Sequence, residues 1–297
     1  MRRISFTVTE NEAGRSAASI FKNELRLSSS LLARLKQAPG ALLRNGLPVR
    51  TNERVAAGDI VSAAVGESPA ESGRAELPFP ILFEDEDILV ADKPAGAAVH
   101  GSRYDDTVPS VEEAVNAYYG KPGLFHPVNR LDRGTTGVMA VAKNGWMHEL
   151  LMSKLHTGAF ERLYLGVCEG IFEEKAGRID LPIARVEGSA IKRGVSPLGA
   201  PAVTDYEVVS EHVRADGRTL SLVCFRLGTG RTHQIRVHCA AIGHPLAGDW
   251  LYGTEEKELI ARPALHSARL RFTHPLTGER IELEAPLPED MKRLTKR

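Results

Sequence analysis

An aspartate flanked by arginines is the first place where this chain could do chemistry. Asn129-Arg130-Leu131-Asp132-Arg133-Gly134-Thr135-Thr136-Gly137 sets the carboxylate of Asp132 between two guanidinium groups, and an apolar run over 138–142 follows. Gly and Thr make a short turn into what reads as a buried strand, so Asp132 would sit on a rigid edge with cations supporting its charge. Such a carboxylate can serve as nucleophile or base, and the residues do not say which. Taken alone, the same stretch also describes a surface ion pair ahead of a strand.

A second stretch, Leu227-Gly228-Thr229-Gly230-Arg231-Thr232-His233-Gln234-Ile235-Arg236-Val237-His238, combines turn and helix signals. Gly228 and Gly230 permit a tight strand-to-helix turn, Thr232 is the expected cap, and Gly243 with Pro245 ends the helix. A helix N-terminus beside Arg231 and Arg236 is an anion site. His233, His238 and His244 are unevenly spaced without a second ligand cluster, so no metal is expected. Cys168, Cys224 and Cys239 lie singly in apolar runs, as reduced core thiols do.

The elements that must position these groups fall into three stretches. Residues 1–64 carry ten Lys/Arg against five acids, within a chain of 297 residues that is neutral overall. There 14–25 and 28–36 read as short helices, the second capped by Ser28, and Asn45-Gly46 signals a hairpin. A compact basic module suggests phosphate contact, with Arg34, Lys36, Arg44 and Arg50 as candidates. Residues 65–80 are rich in Gly, Pro, Ser and Glu and read as a linker. From 81 onward, two apolar strands flank an acidic turn and lead to Lys93-Pro94-Ala95-Gly96, where Lys93 could meet a phosphate. Ser110 and Glu113 form a capping box for a helix to Tyr119, and Asn144 caps another through about Leu155, on which His148 and His156 are ordinary polar positions. The strand over 161–170 places Arg162 and Tyr164 on one face.

Arg130-Leu131-Asp132-x-x-Thr135-Thr136-Gly137 closely resembles the Arg-Leu-Asp-x-x-Thr-Ser-Gly signature of RluA-type pseudouridine synthases, with Asn129 where many members have His and Thr136 where most have Ser. The block 229–249 resembles the family's Thr-Gly-Arg-Thr-His-Gln-Ile-Arg-Val-His segment. Further matches are Lys93-Pro94-x-Gly96, the basic-x-Tyr strand at Arg162 and Tyr164, the strand from Gly199 with Ala200 replacing the usual Lys, and Leu265-His266 through His274-Pro275. The helix-helix-hairpin order of 1–64 resembles the S4-like RNA-binding domain that many of these enzymes carry in front.

The resemblance implies an α+β protein: a mixed, mainly antiparallel catalytic sheet flanked by helices over 81–297, behind a small α+β S4-like domain at 1–64. It implies isomerisation of uridine to pseudouridine, in which the N-glycosidic bond breaks, the base turns and ribose rejoins C5; atoms and oxidation state balance, so no cofactor is required. By carry-over Asp132 is catalytic and Arg236 pairs with it. Tyr164 supports the flipped base and helps remove the C5 proton. Arg130, Leu131, Arg162, Arg231, His233, Gln234 and Leu265 shape the pocket and the substrate contact.

RNA is the expected partner, large-subunit ribosomal RNA first and transfer RNA second, for a monomer with no obligate protein partner. The N-terminus lacks the apolar segment of a signal peptide and no run reaches membrane-spanning length, so a cytoplasmic protein is expected. A non-catalytic RNA-binding or ribosome-assembly protein is the rival reading. A glycosidase-like hydrolase would need two positioned carboxylates. Deleting residues 1–64 is expected to weaken RNA binding more than the fold.

Overall fold

The computed structural model describes residues 1–67, 75–101, 110–155 and 157–295. His156 and positions 68–74 of the expected linker lie outside the described residues.

The N-terminal stretch folds as β1 (Arg2–Thr7), α1 (Ala17–Asn23), α2 (Ser29–Leu35), β2 (Leu42–Arg44), β3 (Leu47–Pro48) and β4 (Ile60–Gly66), a four-stranded sheet in the order β1-β4-β2-β3. Ser28 caps α2 as expected, its hydroxyl accepting from the Leu31 amide. Asn45 and Gly46 both take positive φ, 49° and 79°, and close the β2–β3 hairpin. Such a turn favours Asn-Gly because both central residues are left-handed. The expected linker begins too early: Val65 and Gly66 belong to β4, and Phe79 at its far end is buried in the core.

The remainder runs β5 (Ile81–Glu84), β6 (Ile88–Lys93), α3 (Val111–Tyr119), β7 (His126–Pro127), β8 (Thr136–Ala142), α4 (Gly145–Met152), β9 (Phe160–Glu169), β10 (Ala176–Asp180), β11 (Ile183–Arg185), β12 (Arg193–Val195), β13 (Val203–Val213), β14 (Thr219–Leu227), α5 (Gln234–Ala241), β15 (Leu265–Thr273), β16 (Arg280–Glu284) and α6 (Glu289–Thr295). The main sheet has the order β10-β13-β14-β9-β15-β8-β6-β5, with β16 on β15 and β7 on β8. This is the mixed, mainly antiparallel α+β architecture expected. The capping box at Ser110 and Glu113 forms, and Asn144 caps α4, which stops at Met152 three residues short of its expected end.

The β8–β15 pair is parallel, with Thr136 opposite His266 and Ser267 opposite Gly137. Parallel neighbours start at the same end of a sheet, so the loop that carries Asp132 and the residue that opens β15, Leu265, meet there. Strand β8 is buried along its whole length. It explains the uninterrupted apolar run after the Asp132 turn, since a strand covered on both faces has no solvent side to alternate with.

One hydrophobic cluster crosses from the N-terminal sheet into the main sheet, joining Ile20, Phe21 and Leu31 to Ile88, Val138, Trp146 and Leu151. Polar contacts reinforce it. Trp146 Nε1 donates to the Leu25 carbonyl at 3.0 Å, and Arg2 pairs with Asp87 at 2.8 Å. Deletion of 1–64 would therefore uncover part of the main core, so the fold depends on this unit as well.

Candidate active site

Asp132 stands in the loop before β8, where the Thr135 amide closes a turn on its carbonyl at 3.0 Å. The loop is fixed from below. Arg133 and Gly96 exchange backbone and side-chain hydrogen bonds at 2.9 and 2.8 Å, and Arg262 Nη1 donates to the Gly134 carbonyl at 3.1 Å. The Asp132 side chain is 26% exposed, and it opens into a cleft of about 440 Å³ that Arg130, Leu131, Tyr164 and Arg231 also line. A smaller recess beneath is walled by Leu265, Arg236, His233 and Gln234.

Arg236, in the first turn of α5, reaches Asp132 as expected, with Nη1 3.4 Å from Oδ2. Its other nitrogens are engaged by a residue the sequence reading passed over: Asp249, 0% exposed, accepts from Nε at 2.7 Å and from Nη2 at 2.8 Å. Burial works against the Arg236 charge, but the Asp249 pair outweighs it and raises its pKa. The planar fork fits one carboxylate with two nitrogens and leaves the third for another, which a lysine could not do. Asp249 closes the block 229–249, so the signal was present, but chemistry alone assigned it no partner.

The α5 N-terminus differs from expectation. Thr232 is not the cap; His233 occupies that position with φ 58° and makes no capping bond. A non-glycine residue in the left-handed region is strained, and such strain persists where something else fixes the side chain. Here Tyr252 does: its hydroxyl lies 2.8 Å from His233 Nδ1 and also accepts from the Arg193 amide. On the other side of the ring, Nε2 faces Asp132 Oδ1 at 3.9 Å. Burial, opposed by Asp132, lowers the His233 pKa, so the ring is neutral at neutral pH.

Tyr164 stands in β9 on the cleft face and is buried, with Ser267 and Asn129 close to its hydroxyl. Burial raises its pKa, so the phenol holds its own proton at rest. The Asn129 amide also binds the β8 backbone at Val138 and Ala140, which accounts for a hydrogen-bonding side chain ahead of the arginine.

Other expected contacts are relocated. Gln234 is 3% exposed and saturated, accepting from Thr229 and Arg231 and donating to Val203 and Thr204, so it shapes the turn and leaves nothing for RNA. Lys93 is 1% exposed, and its ammonium serves the Pro94, Ala97 and Arg133 carbonyls. It meets no phosphate; it ties the Lys-Pro turn to the Asp132 loop, and burial pushes its pKa down to about 7. Arg231 lines the cleft and donates to the Pro201 carbonyl. In the N-terminal unit Lys36 and Arg50 share a groove of about 340 Å³. Arg44 is occupied by the Arg54 carbonyl and Glu53, while Arg34 lies beside Gly145 of α4.

The family model described as RNA pseudouridylate synthase matches residues 87–241. Among similar proteins, the uncharacterised RNA pseudouridine synthase YjbO of Bacillus subtilis is 39% identical over 281 residues, which cover 93% of this chain and 97% of the relative. The ribosomal large subunit pseudouridine synthase D of Yersinia pestis is 36% identical over 98% of this chain and 93% of its own. The solved structure of human RNA pseudouridylate synthase domain containing 1 superimposes with a TM-score of 0.58 at 27% identity, covering 71% of this chain and 84% of that one. The recess that gathers Asp132, Tyr164 and Arg236 lies within a chain that belongs to the RNA pseudouridylate synthase family, isomerases of uridines in RNA.

Proposed function

We propose that Asp132 is the catalytic carboxylate of a pseudouridine synthase whose substrate is large-subunit ribosomal RNA. The observation that carries this reading is the grip on Asp132, with Arg236 on one oxygen, His233 Nε2 facing the other, and the Tyr164 ring beside it in the same cleft. Ionic and dipolar partners fixed in advance hold the carboxylate where it must act on the ribose. Tyr164 and Leu265 receive the flipped uracil, and Arg130, Leu131 and Arg231 flank it at the mouth.

Ribosomal RNA is favoured over transfer RNA by the relatives that carry the large-subunit name and by the basic N-terminal unit, which we read as S4-like. Lys36 and Arg50 are its backbone contacts. We read the protein as a cytoplasmic monomer. A hydrolase reading finds no second free carboxylate among the described residues of the site, because Asp249 is fully committed to Arg236. A retired RNA-binding protein would have no physical need to keep Asp132, Tyr164 and Arg236 around one recess.

The test is a pseudouridine map of ribosomal and transfer RNA from cells that lack the gene, with wild-type or Asp132→Asn protein restored. A large-subunit site should vanish and return only with the wild type. Asp132→Asn should lower turnover at least about a thousandfold while RNA affinity stays within about threefold. A variant that keeps a substantial share of turnover would remove Asp132 from its role.

A further inference from the structure

Arg162 is 7% exposed, yet it makes no ion pair or hydrogen bond among the described residues, and its buried Nε has no acceptor. A guanidinium keeps its charge inside a protein, and an uncompensated buried charge weakens the fold. Its place in the sheet shows what could complete it. Strand β14 leaves β9 after the Arg226–Leu163 pair, so residues 160–162 have no strand on that side. A notch of about 310 Å³ opens there, and Leu155, Arg162 and Leu227 line both this notch and the Asp132 cleft. A Cβ on Gly230 would lie 3.1 Å from Arg162 Nη1, so the glycine keeps the tip of the guanidinium open.

We propose that Arg162 holds a phosphodiester of the RNA where the cleft meets the notch, and that the strand leaves the active site through the notch past Arg226. This rests on the pseudouridine synthase reading. An extruded base needs its flanking phosphates held, and the arginine fork fits a phosphate with two parallel hydrogen bonds. Arg269 and Arg271 on the outer wall are occupied by Glu284 and Glu282, whereas Arg226 is 62% exposed in its side chain and only loosely paired with Glu207 at 3.9 Å. Among the arginines that line the notch, the charge left for a ligand is therefore that of Arg162 and Arg226.

The experiment uses the full chain, a fluorescein-labelled hairpin RNA with a single uridine in its loop, and the same RNA with one methylphosphonate linkage on either side of that uridine. Arg162→Met should weaken binding about tenfold and lower the slope of log Kd against log salt by about 0.7, the value for one single-strand phosphate. Its Tm should stay level or rise, since a buried unpaired charge has been removed. Arg226→Gln should lower the slope further, whereas Arg214→Gln, at the distant β13–β14 tip, should not. One methylphosphonate should weaken wild-type binding and leave Arg162→Met unchanged, which separates an RNA phosphate from a free anion. An unchanged slope in Arg162→Met, additive losses with every methylphosphonate, or a Tm that falls together with affinity would overturn the proposal. An unchanged slope in Arg226→Gln would overturn the exit path. Pseudouridine formation in cellular RNA, read separately, reports whether the function proposal itself has failed.

Discussion

At the residue scale, the site is a chain of charges in which each partner fixes the next. Asp249 holds Arg236, and Arg236 meets Asp132 with the one nitrogen left over. Asp249→Asn should therefore lower kcat about tenfold to a hundredfold and leave KM nearly unchanged, because the error lies in orientation and not in RNA contact. Steady-state kinetics decide it: a loss confined to KM would show that Arg236 orients Asp132 unaided. Lys93 carries a second consequence. Its folded pKa, about 7, lies below the unfolded value near 10.5, so between these pH values the unfolded chain binds more protons and stability rises with pH. The lowered histidines titrate below this window. Chemical denaturation should show stability increasing by roughly 1–2 kcal/mol from pH 7 to pH 9. Lys93→Met should flatten that rise, and a wild-type profile that is flat or falling would place the titration elsewhere.

At the element scale, β8 and β15 fix where the Asp132 loop sits. Their parallel contact is so close that a Cβ on Gly137 would lie 2.2 Å from the Ser267 carbonyl oxygen, and Gly137 also sits at φ 106°. Gly137→Ala should cost at least about 3 kcal/mol, from overpacking and backbone strain together. Thermal melting against Gly134→Ala measures it. At Gly134 the new Cβ meets the Pro263 ring edge at 3.1 Å and the Arg262 Cβ at 3.6 Å, and no backbone atom among its nearest neighbours, so that variant should lose less. Equal losses would mean that strand contact is not what demands the glycine. The motif Gly was legible in the sequence as a turn residue. Its actual duty, to let two strands approach behind the Asp132 loop, needed the second strand, which arrives 130 residues later.

At the scale of the whole molecule, the N-terminal unit is built into the enzyme. A Cβ on Gly66 would lie 2.5 Å from Asn144 Cβ, so the end of β4 presses directly on the cap of α4. Removing residues 1–66 should expose Ile88, Val138 and Trp146 and give a protein that aggregates or melts at least about 10 °C lower by circular dichroism. A truncated chain with an unchanged melt would show that the shared cluster contributes nothing. RNA contact is better probed by Lys36→Gln with Arg50→Gln, which leaves that core in place. The sequence by itself determined the family, and it singled out Asp132, Tyr164 and Arg236, which the fold brings together, because those are chemical types at fixed spacing. It also placed most caps and turns, since Ser28, Asn45-Gly46, Ser110 and Asn144 act on their immediate neighbours. Only the tertiary structure decided what each charge would meet. Lys93 turned inward to three carbonyls, Gln234 was consumed by a turn, Asp249 became the anchor of Arg236, and Arg162 was left without a partner. A side chain's type states what it can bind, but the distant residues packed around it fix which partner it finds.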